Sequence, residues 1–121
     1  MGLDAVEIIL RAEELFAIDI PDRDASTVKT VGDFYNLICG KSGVPPLESP
    51  ETSEKLPTIT ERERIFLFLA RLKPLPAPNS VLPWSPQSVW DCTVAIFVDQ
   101  MGLKPEEIIH GAQIAADLGV D

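Results

Sequence analysis

The chain has 121 residues, 45% of them hydrophobic and 24% charged, which suits one globular domain with a modest core. Nineteen acidic against ten basic side chains give a formal charge of −9, and this argues against a nucleic-acid binder, because counterion release needs clustered Lys and Arg. No apolar run nears the roughly 20 residues of a membrane span, the first residues lack the basic start of a signal peptide, and two cysteines, Cys39 and Cys92, are too few for a disulfide framework or a structural zinc site. A cytoplasmic protein with reduced thiols is the expectation.

Proline and charge divide the chain at the same borders. Nine of the eleven prolines lie between Lys41 and Ser88. Residues 1–39 and 89–121 each carry a net −5, and the middle is nearly neutral. One domain is therefore expected in three parts: an arm over 1–40, a proline-rich connector over 41–88, and a second arm over 89–121.

In the first arm, Leu3, Val6, Ile9, Leu10 and Phe16 recur at helical spacing, with no Gly or Pro from Leu3 to Ile20. Asp4, Glu7, Arg11 and Glu14 fall at steps of three and four, which predicts a solvent-facing stripe on the same helix. Pro21 stops the helix. Asp22–Val28 suits a short helical turn. Thr30 with Asp33 three residues on forms an N-cap signal for a helix over Val31, Phe34, Leu37 and Ile38, closed by Gly40.

In the connector, Thr60-Glu61-Arg62-Glu63 is a capping-box pattern ahead of the apolar Ile65–Leu72, so a helix over 60–73 is predicted. The rest reads as extended chain. In the second arm, Ser88 is the predicted N-cap of a helix over Val89–Met101 that ends at Gly102. Leu103 to Asp121 reads as a structured loop, with a helical turn at Lys104–Glu107 and anchors at Ile108, Ile114 and Leu118. No stretch alternates long enough to predict a sheet.

Two stretches carry a family resemblance. Leu3-Asp4-Ala5-Val6-Glu7, Glu13-Glu14-Leu15-Phe16, Asp19-Ile20-Pro21-Asp22 and Thr30-Val31-Gly32-Asp33 resemble helices two to four of an acyl carrier protein. Asp99 to Ile108 and Asp117-Leu118-Gly119-Val120-Asp121 resemble its helix one and long first loop. Their order is reversed. The resemblance implies an all-α, acyl-carrier-like four-helix bundle in circularly permuted order, with an extra helix in the connector.

The family carries Asp-Ser-Leu at the head of helix two, where the serine takes the phosphopantetheine arm. On this sequence the resemblance puts the aspartate at Asp121, the leucine at Leu3 and the serine at Gly2, which has no hydroxyl. It thus implies a non-enzymatic protein without the cofactor, acting through protein contacts. Its acidic patch, Asp4, Glu7, Glu13, Glu14 and Asp33, would meet basic surfaces of lipid or polyketide synthesis enzymes. The bland alternative for that patch is an ordinary solvated face, and Arg11 interrupts it. The alternative function is an active acyl carrier in fatty-acid or polyketide synthesis that uses an unrecognised serine. Asn79-Ser80-Val81-Leu82 echoes the motif, but Pro83 prevents the helix that should follow. A thiol enzyme built on Cys39 or Cys92 with His110 ranks below both, since no partner activates the histidine. No metal-ligand cluster is visible. The apolar helix of the connector either covers the bundle or makes a homodimer interface.

Overall fold

The computed structural model describes residues 2–56 and 83–121. The predicted 60–73 helix and Ser80 lie outside them. Among the described residues the fold is all-α: α1 (Leu3–Phe16), α2 (Asp22–Ala25), α3 (Val31–Ser42) and α4 (Pro86–Met101), followed by a 3₁₀ turn at Pro105–Glu107. The only sheet-like pairing there is an isolated bridge between Thr30 and Gln113.

The centre of the bundle is α4. It buries Val89, Trp90, Cys92, Val94, Ala95, Ile96 and Phe97, residues that point to every side of the helix. A helix apolar all round belongs inside, and α4 packs against both α1 and α3. Phe97 meets Phe34 edge-on at 5.9 Å between ring centroids, and Trp90 meets Tyr35 edge-on at 5.3 Å. The two arms therefore share one core, and both cysteines are buried in it.

Local chemistry explains most of the helix ends. Thr30 and Asp33 form the expected reciprocal capping box at α3. Val31 and Gly32 donate their N–H groups to the carbonyls of Ala112 and His110, so the second arm's loop satisfies the donors that α3 leaves open. Ile108, Leu118 and Val120 anchor that loop in the core. Gly102 ends α4 in the left-handed conformation, as its position suggests.

Three boundaries differ from expectation. The N-cap of α4 is Ser85, with Pro86 at the first helical position and Ser88 returning the bond as the third residue of a capping box. Gly40 lies inside α3, and the left-handed cap is Gly43, at φ +71°. α1 ends at Phe16, ahead of Pro21, because Ala17 takes a left-handed cap at φ +55°.

The buried face of α1 also differs. It is Ile8, Arg11, Ala12, Leu15 and Phe16, whereas Leu3 is 81% exposed and Val6 37%. Arg11 thus does not join a solvent-facing stripe. Its guanidinium is buried against Asp99 of α4 at 2.8 Å and also donates to Gln100. A charge drawn inside needs a partner, and α4 supplies one.

The connector's first part, 44–56, has no regular structure yet is tied down along α3 and α4. The Tyr35 hydroxyl accepts from Leu47 N–H at 3.1 Å and donates to the Pro86 carbonyl at 2.8 Å. Ser53 donates twice to Asp91, through its N–H at 3.0 Å and its hydroxyl at 2.6 Å. The Trp90 indole N–H donates to Thr52 at 3.0 Å.

Candidate functional site

The head of α1 is built from both ends of the sequence. Gly2 is its N-cap and offers no side chain to the open N–H groups. The Asp121 carbonyl does so instead, accepting from Ala5 N–H at 2.9 Å. Asp121 lies so close that a Cβ built on Gly2 would meet its Cβ and stand 2.8 Å from its carbonyl carbon. In space the order at this point is Asp121, Gly2, Leu3.

Beside it runs an apolar cavity of about 390 Å³. Ile8 and Ile9 of α1, Phe34 of α3, Phe97 of α4, and Ile114 and Val120 of the loop line it, with Lys29 and Asp121 among its few polar residues. Its volume falls within the roughly 300–1,000 Å³ of small-molecule sites, and a lining of this kind favours an apolar occupant over water. Periodicity alone gave no sign of it, because its walls come from five separate segments.

The acids expected to form a docking patch are mostly engaged within the fold. Gln100 donates to both Asp4 and Glu7. Glu13 accepts from Ile20 N–H at 2.9 Å and so closes the loop that follows α1; its partial burial raises its pKa, against the lowering effect of that N–H. Asp33 accepts from Lys29 and Thr30 N–H, and these two bonds hold its carboxyl below the usual range. Glu14 is half-buried. The residue that sequence reasoning missed is Gln100, whose amide reaches three charged side chains of α1.

The remaining candidates are structural in their surroundings. His110 packs beside Trp90 and Tyr35, with ring centroids 6.2 and 6.4 Å away. Its ring fills the space a side chain on Gly32 would need, with both ring nitrogens 2.6 Å from the Cβ position. Burial pushes the Cys39 thiol up, away from nucleophilic character. Among the described residues, no group of three His, Cys, Asp or Glu side chains could hold a metal ion, and no helix is long and apolar enough to cross a membrane.

Against curated proteins the chain is 49% identical over 42 residues to the acyl carrier protein of Picosynechococcus sp. (strain ATCC 27264 / PCC 7002 / PR-6), a stretch covering 35% of this chain and 52% of that protein. This is likeness to an acyl carrier protein. Over 37 residues it is 50% identical to the putative mitochondrial acyl carrier protein of Schizosaccharomyces pombe (strain 972 / ATCC 24843), 31% of this chain and 33% of that one. Over another 37-residue match it is 42% identical to the acyl carrier protein of Syntrophobacter fumaroxidans (strain DSM 10017 / MPOB), again 31% of this chain and 46% of the relative. The chain thus spans about half the length of these relatives or less. No family model and no solved structure matches it.

Proposed function

We propose that the chain is an acyl-carrier-like protein in circularly permuted order, with glycine at the attachment serine's place, acting through protein contacts and without catalysis. The observation that carries this reading is the meeting of Asp121 with Gly2 and Leu3 at the head of α1. By resemblance that is where the family's Asp-Ser-Leu begins its second helix. The apolar cavity beside it supports a carrier-like bundle with room for an apolar chain. The net charge of −9 supports partners with basic surfaces, those of lipid or polyketide synthesis enzymes by resemblance.

Phosphopantetheine does not fit this point. Attachment needs a hydroxyl, which Gly2 lacks, and the space a side chain would occupy is held by Asp121. The protein is therefore expected to work without the cofactor. Incubation with coenzyme A and a broad-specificity phosphopantetheinyl transferase, read by intact mass, tests this. No added mass is the expected result. Stoichiometric labelling mapped to any serine would replace the reading with that of an active carrier.

A further inference from the structure

A second concavity, about 460 Å³, lies between the connector segment 50–54 and the loop 105–110. Trp90 and His110 contribute to its lining, and Ile109, 60% exposed, stands beside them. Glu51, Glu54 and Glu106 line it too, and all three residues are exposed. Among the described residues no lysine or arginine lines it; Lys55 follows Glu54 and Lys104 precedes Pro105.

Two features separate these acids from those of α1. None of the three makes a side-chain hydrogen bond or ion pair within the described residues, whereas Asp4, Glu7, Glu13 and Asp33 are all engaged. They also share one concave surface, where low-dielectric walls focus a field of a single sign. The site is formed in advance of any partner, because Thr52 and Ser53 are held on Trp90 and Asp91 of α4.

From this arrangement we infer that the groove docks a short segment of a partner protein in which an apolar side chain is flanked by Lys or Arg. The apolar side chain covers Ile109, and its basic neighbours meet the three carboxylates. A nucleic acid would bring more negative charge, and a second copy of this chain carries the same net −9. The volume suits one or two side chains, so the recognised element is a short stretch of chain. This deepens the reading of the protein as a contact module and relies on it only in taking the partner to be a protein. It moves the docking surface from the acids of α1 to a groove that the connector helps to build.

The test is selection of random twelve-residue peptides, displayed on phage, against the full chain. The best of them is then titrated into isotope-labelled protein. The expected consensus is an apolar residue between Lys or Arg, with amide shifts centred on Thr52–Glu54 and Ile108–His110. Ile109→Asp and Glu106→Lys should each weaken binding at least tenfold while the amide spectrum of α1 stays in place. Selection without basic enrichment, shifts centred on Leu3 and Val6, or no peptide above background would overturn the inference. A labelled serine in the transferase assay would sink the cofactor-free reading and leave this result standing, so the two failures are distinct.

Discussion

Tyr35 is the one tyrosine of the chain and is buried where three segments meet, α3, the connector at Leu47 and the start of α4 at Pro86. Burial pushes its phenol up to about 12, from an ordinary value near 10. The folded state holds this proton more tightly than the unfolded chain does. Its contribution to stability is therefore complete below about pH 10 and is lost as the pH rises towards 12. Tyrosinate absorbance should show a midpoint displaced by about 2 units from that of the urea-unfolded chain. Tyr35→Phe strands the Leu47 N–H and the Pro86 carbonyl and should cost about 1–3 kcal/mol in urea denaturation. The tyrosine's burial was not predicted, because its partners sit outside its own helix. Arg11 teaches the same lesson. Its spacing placed it in a polar stripe, and only Asp99, on the other arm, explains why it lies inside.

Among the elements, α1 carries the clearest local conflict. Ala17 is the single described residue other than glycine with positive φ, and the left-handed region costs an L-residue about 1–2 kcal/mol. Ala17→Gly removes that cost while loosening the unfolded chain, for a net gain of about 0.5–1 kcal/mol in urea denaturation. A loss of stability would show that the methyl group matters more than the backbone. Helix ends were legible wherever the signal was local. Thr30 with Asp33 named the start of α3 correctly because both halves of that box lie within four residues. At α4 two serines competed, and Pro86, pre-shaped for the first helical position, was the available sign that Ser85 wins. Gly40 and Gly43 posed the same choice, decided by the positive φ that only the second adopts.

At the scale of the molecule, helical class was readable because apolar residues in both arms recur at helical spacing and nothing alternates. The shared core follows from α4, whose apolar residues exceed what one face could use. The cavity and the connector's attachment were not readable, since each is assembled from segments distant in sequence. The proposed permutation has a direct test. A rearranged chain, residues 83–121 joined directly to 2–82 and carrying Gly2→Ser, restores Asp-Ser-Leu as a continuous stretch. It should fold to the same helical content and accept one phosphopantetheine on the introduced hydroxyl, read by intact mass. Gly2→Ser in the native order should label slowly at most, because the new side chain must displace Asp121. A rearranged chain that folds and stays unlabelled would refute the permuted reading.

The bond from Ala5 N–H to the Asp121 carbonyl has a consequence in time. It joins positions more than a hundred residues apart, so the loop it closes is a long one. During synthesis α1 is made well before α4, which packs against it, and before the Asp121 carbonyl that completes its first turn. α1 must then wait, amphipathic and incomplete, until Asp121 has been added. Folding of the bundle is in that sense closed by Asp121, and a ribosome stalled after α3 should present α1 open to a protease.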